Sequence, residues 1–101
     1  MDDTPYGIGS DRWPGASRVV EEAGELVQVL GKLIGTGGAA RHWDGSDLRD
    51  RLVGEVGDLT AALDFFVEAN DLPAGQVEQR AARKRADYDR WHTAGGRGGE
   101  Q

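Results

Sequence analysis

Five carboxylates stand in two short, related patterns, Glu21-Glu22-x-x-Glu25 and Glu55-x-x-Asp58. Acids three or four residues apart lie on one side of a helix, so each pattern directs its oxygens one way. Two such helices brought face to face would converge hard oxygen donors, a set that suits Mg²⁺, with Mn²⁺ as a substitute, over zinc. The chain has no cysteine, and neither of its two histidines has zinc-like spacing to another ligand. The competing reading is a solvated helix face, which is what most charge clusters are. Such faces commonly place Lys or Arg four residues after Glu. Here the residues four after Glu21, Glu22, Glu25, Glu55 and Asp58 are Glu25, Leu26, Val29, Leu59 and Ala62. None is basic, and only Arg18 and Arg51 offer relief, from the less favourable N-terminal side. Gly24, Gly54 and Gly57, each beside an acid, cost about 1 kcal/mol apiece relative to alanine in a helix interior. Close helix approach, or room for a ligand, would give those glycines a purpose.

The elements that must position these acids are helices. Val20, Ala23, Val27, Leu30 and Ile34 recur at three and four residues, which predicts a helix over about Arg18 to Ile34 with that stripe as its packing side. Leu52, Val56, Leu59, Leu63 and Phe66 predict a second helix from about Leu48 to Asn70, capped by Ser46 or Asp47. The first begins either at Ser17 as cap or a turn earlier with Pro14 at its first position. Gly35 is the expected left-handed residue at its end. The connection Gly35 to Ser46, with His42 and Trp43, is long for a helical hairpin, and such loops are often functional. Asp71-Leu72-Pro73 punctuates the chain before a third helix, about Ala74 to His92, rich in Arg and Lys. The fold class is therefore all-α: an antiparallel hairpin plus a C-terminal helix. One domain over residues 13–92 is expected, between a flexible start, 1–12, and a disordered glycine-rich tail, 93–101.

The totals exclude some functions. A net charge of −6 opposes binding to polymeric nucleic acid, whereas a metal-bridged nucleotide is compatible with it. No run is long enough to span a bilayer and no signal-peptide pattern opens the chain, so a cytoplasmic location is expected. With 101 residues and 38% hydrophobic content, the core must be thin, and a homodimer or homotetramer is expected to complete it.

The acidic signature resembles the EExxE…ExxD pattern of the all-α nucleoside triphosphate pyrophosphohydrolases, which include MazG-like proteins, dimeric dUTPases and dCTP pyrophosphatases. The resemblance covers roughly residues 13–92, and the Gly35 to Gly45 loop is similar to the insertion of short, stand-alone MazG-like proteins. It implies a MazG-like helical bundle and Mg²⁺-dependent hydrolysis of a (deoxy)nucleoside triphosphate to the monophosphate and pyrophosphate, in nucleotide-pool house-cleaning. It further implies that Glu22, Glu25, Glu55 and Asp58 ligate Mg²⁺ and that Glu21 supports the site or orients the attacking water. The family's basic last-helix segment corresponds to Arg83 through Trp91, although Asp87 stands where Asn is commoner. Arg83, Lys84 and Arg90 are thus phosphate contacts or a solvated face. Lys32 is a substrate contact or a cation offsetting the helix C-terminus. Trp43 and Trp13 stack on a base or anchor the chain, while Tyr88 and Trp91 read as core or dimer contacts. Two rival readings stand beside this one: a phosphoribosyl-ATP pyrophosphatase-like enzyme, and a non-catalytic helical interaction module.

Overall fold

The computed structural model describes residues 5–39 and 47–96. It contains three helices: α1, Ala16–Gly35; α2, Leu48–Ala69; and α3, Ala74–Gly96. The chain divides into two compact units, Met1–Asp71 and Leu72–Gln101. No helix among the described residues is long and apolar enough to cross a membrane.

In the first unit α1 and α2 form an antiparallel hairpin, with the start of α1 beside the end of α2. Asn70 Nδ2 donates to Pro14 O at 3.0 Å and to Phe66 O at 2.8 Å, and the rings of Trp13 and Phe66 stack at 6.3 Å. Trp13 is nonetheless more than half exposed, so it braces the hairpin without being buried. The cap of α1 is neither Ser17 nor a Pro14 start. It is Gly15, at φ 88, whose N–H donates to Gly7 O while Ser17 N–H donates to Tyr6 O. The stretch expected to be loose thus carries structure from Pro5, and folds back on the first turn of α1. Gly15 has two reasons to be glycine: its left-handed backbone, and Phe65 Cδ2 only 2.8 Å from where a Cβ would sit. At the other end Gly35 remains helical, and the left-handed turn falls instead on Gly37 and Gly38, at φ 70 and 96. Thr36 Oγ1 donates to Leu33 O, satisfying one of the helix's last carbonyls. Asp47 caps α2 as expected, its Oδ1 accepting from Asp50 N–H at 3.1 Å. Ser46, the other candidate, lies outside the described residues, as do His42 and Trp43.

The packing seam is displaced from the expected stripe on α1, and on α2 it keeps Leu52, Leu59 and Phe66 of the expected stripe but not Val56 or Leu63. On α1 the buried or half-buried residues include Val19, Glu22, Leu26, Val29 and Leu33, with Ala23 of the expected stripe also half-buried, whereas Val20, Val27, Leu30 and Ile34 are exposed. On α2 they are Leu48, Leu52, Glu55, Leu59, Ala62 and Phe66, whereas Val53, Val56 and Leu63 are exposed. Both sets repeat at three and four residues, and they differ by one position, or about 100° of rotation. The helices carry two seams each, and the sequence pattern does not rank them. The hairpin closes on the pair that includes Glu22 and Glu55. Among the described residues the buried apolar side chains are Val29, Leu48 and Ala62, of which Val29 and Leu48 are fully buried.

In the second unit Pro73 O accepts from Gln76 N–H and Val77 N–H, opening α3, which runs four residues beyond the expected His92. Its charges pair along the helix, Arg85 with Asp89 and Arg90 with Asp87, each at 3.0 Å. Tyr88 and Trp91 meet at 5.7 Å and are both exposed.

Two substitutions check this packing. Leu48→Ala should cost about 2–5 kcal/mol, because its side chain is wholly buried and the hairpin seam has few neighbours to collapse inward. Gly15→Ala should cost about 1–3 kcal/mol from backbone strain alone, and displace Phe65 besides. Denaturant unfolding of each variant measures both.

Candidate metal centre

The hairpin seam brings three carboxylates together. Glu22, Glu25 and Glu55 each offer one oxygen, and these oxygens all lie within 4.8 Å of one another. Glu22 comes from one turn of α1, Glu25 from the next, and Glu55 from the facing turn of α2. Val19 and Leu26 precede and follow Glu22 along its seam, and Leu52 and Leu59 flank Glu55 in the same way. The acids are thus held in position by the apolar seam on either side. Glu22 retains only 15% of its side-chain exposure. One oxygen of each seam acid, Glu22 Oε1 and Glu55 Oε1, is buried with no hydrogen-bond partner, and these are the two such side-chain atoms among the described residues.

The electrostatics follow from that placement. The Glu22 carboxyl is pushed above the ordinary glutamate range, first by desolvation, then by the charges of Glu25, Asp58 and Glu21, with Arg18 acting against the rise. Glu55 is raised in the same direction, first by desolvation, then by Glu25 and Asp58, and by a hydrogen bond with Glu25 that requires a proton on one partner; Arg51 opposes it. Glu22 and Glu55 are thus half-buried acids in a cluster of acids, each with one buried oxygen that has no hydrogen-bond partner.

Asp58 lies on the same side of the hairpin. It is outside the group of three but acts on both seam acids, and with Glu22 it lines an open cleft of about 410 Å³. Ile8, Arg18, Ala61, Ala62 and Phe65 complete that lining. Glu21 is exposed and paired with Arg18, whose Nη1 also lies 3.7 Å from Glu22 Oε2. Lys32 is half-buried in the last turn of α1, toward the other end of the hairpin from this cleft. Arg83, Lys84 and Arg90 are exposed residues of α3, in the second unit. Trp43 lies outside the described residues. Ile8 and Phe65 were not legible as site residues: Ile8 sits in a stretch with no periodicity, and Phe65 falls off the apolar repeat. A larger cleft, about 640 Å³, opens between Tyr6, Trp13, Asn70 and Asp71, but it contains none of the five motif acids.

The donor set fits a hard divalent cation. Oxygens bound at about 2.1 Å lie at most about 4.2 Å apart across an ion, a separation compatible with oxygens that are all within 4.8 Å of one another. The glycines beside the acids have a different explanation from close approach of α1 and α2. A Cβ at Gly24, Gly54 or Gly57 would meet nothing within 4 Å. No family model, curated protein or solved structure matches this chain.

The raised carboxyls predict a pH dependence. Both groups bind protons more readily in the fold than in the unfolded chain, so their contribution favours the fold at low pH. It is lost as pH rises from about 4.5 through their higher folded values. Glu55→Gln removes one of these groups. Its melting temperature, in chelator, should fall less than wild type between about pH 5 and pH 8. An unchanged slope would mean that Glu55 is not strained in the native protein.

Proposed function

We propose that the chain is a Mg²⁺-dependent nucleoside triphosphate pyrophosphohydrolase with a MazG-like helical hairpin, cleaving a (deoxy)nucleoside triphosphate to the monophosphate and pyrophosphate. The observation that carries this reading is the convergence of Glu22, Glu25 and Glu55 around two buried, unpartnered carboxylate oxygens. A solvated acidic face gives no reason for acids in the packing seam, whereas a cation site does. Supporting it are the resemblance of the motif, the hard-donor chemistry and the adjoining cleft.

Glu22, Glu25 and Glu55 would hold the cation, with Asp58 beside them. A bound Mg²⁺ supplies charge against the triphosphate oxygens and lowers the pKa of its water. The residues of this chain do the rest. The hairpin seam fixes the Glu22 and Glu55 side chains before substrate arrives, so little reorganisation accompanies binding. Arg18 ties Glu21 to the rim and leaves its second contact on Glu22. Ile8, Ala61 and Phe65 give an apolar wall beside the acids, suited to the less polar part of a nucleotide and to excluding water there.

Pyrophosphate release from a panel of ribo- and deoxynucleoside triphosphates with Mg²⁺ tests the reading. Glu22→Gln and Asp58→Asn should each lower kcat/KM by at least about 100-fold, the scale of losing a group that acts on developing charge, while the helical circular-dichroism signal stays. No release from any triphosphate by the wild-type chain would overturn it.

A further inference from the structure

We propose that Arg18 is a phosphate contact of the acidic cleft, holding the oxygens of a polyphosphate whose neighbouring oxygens lie on the cation of Glu22, Glu25 and Glu55. This inference rests on the function proposed above, and it gives the hairpin a substrate contact of its own, apart from the basic residues of α3. Among the described residues Arg18 is the one cation lining this cleft, beside Glu22 and Asp58. The other described cations of the first unit stand elsewhere. Arg12 lines the larger cleft, Lys32 belongs to the last turn of α1, and Arg49 and Arg51 belong to the first turn of α2.

Position and charge both support that role. Arg18 precedes Glu22 by one turn of α1, about 6 Å along the axis, and precedes Glu25 by two turns on the same side of the helix. In the antiparallel hairpin Asp58 follows Glu55 in the direction of Arg18. The guanidinium thus stands one turn beyond the converging acids, its Nη1 2.5 Å from Glu21 Oε1 and 3.7 Å from Glu22 Oε2. A phosphate chain that begins at a cation held by Glu22 and runs toward the start of α1 meets Arg18 next. The charges call for such a partner. Glu22, Glu25, Glu55 and Asp58, when ionised, outweigh one divalent cation by two charges, so the cation alone leaves a site that repels an anion. A guanidinium reduces that excess and presents a fork of N–H donors matched to phosphate oxygens. An ordinary helix ion pair explains the placement less well, because Arg ahead of Glu is the weaker orientation. With 40% of the Arg18 side chain exposed, the pair also adds little stability. The same exposure lets Arg18 turn from Glu21 into the cleft without breaking a buried contact.

Calorimetric titration of tripolyphosphate into the full chain in saturating Mn²⁺ tests this without relying on turnover. Arg18→Ala should weaken tripolyphosphate binding by on the order of 10-fold or more, the scale of a hydrogen bond between charged groups, and Arg18→Lys should recover part of the loss. The same Arg18→Ala should leave Mn²⁺ affinity unchanged or raise it, because a positive neighbour of Glu22 has gone. Those opposite directions separate a phosphate contact from an arginine that only props the acids, whose loss would weaken both ligands together. Arg51→Ala removes the same charge beside Glu55 but outside the cleft, and should shift tripolyphosphate binding by no more than about 3-fold. If Arg18→Ala loses helicity by circular dichroism, Arg18→Gln gives the reading. Tripolyphosphate affinity that is unchanged in the Arg18 variant, or reduced as much in Arg51→Ala, overturns the proposal while the metal site stands. So does a Mn²⁺-loaded wild type that ignores tripolyphosphate. A wild type that takes up no Mn²⁺ overturns the underlying function, and this proposal with it.

Discussion

Partial burial of like charges in the seam that joins α1 to α2 is the constraint on which the hairpin depends. A hairpin with so few fully buried apolar residues can ill spare two of its seam positions, yet Glu22 and Glu55 occupy them. Each carboxylate there loses water and gains acidic neighbours, and both effects push it toward its protonated form. Protonation, or a cation, relieves the conflict. The cation of the proposed function would do so while leaving the acids charged.

That conflict organises the rest of the first unit. Arg18 and Arg51 temper the acids from the side without filling the space between them. The segment before α1 folds over the open end of the hairpin, through Gly7 and Tyr6 to Gly15 and Ser17, and sets Ile8 beside Glu22. Gly15 lets Phe65 come close enough to form the opposite wall. The result is a hairpin with two unlike sides, one acidic and cleft-bearing, one aliphatic and bare.

Much of this was legible in the sequence. The three helices and the Asp47 cap followed from periodicity and spacing, and the two acidic patterns named Glu22, Glu25 and Glu55 together with Asp58, which lies outside the group of three. The choice of seam did not. Val20, Val27 and Ile34 repeat as regularly as Val19, Leu26 and Leu33, and apolar character alone favoured the stripe without a glutamate. The hairpin instead closes on the stripe with Glu22, which hydrophobicity would have rejected. The start of α1 was missed for another reason: Gly15 works through a left-handed backbone and a contact with Phe65, fifty residues on, and neither is a local signal. The left-handed turn slipped from Gly35 to Gly37 and Gly38 because any glycine of that run can supply it.

The central claim is that Glu22 and Glu55 in the seam, with Glu25 beside it, converge to hold a divalent cation. The most direct measurement is a Mn²⁺ titration of the folded chain followed by electron paramagnetic resonance, with proton release recorded alongside, for wild type and Glu25→Gln. Saturable uptake accompanied by released protons in wild type, and lost in the variant, is the predicted result, because raised carboxyls must give up protons to become ligands. Weak, unsaturated uptake that is the same in both chains would contradict it, and would return the five acids to an ordinary charged surface.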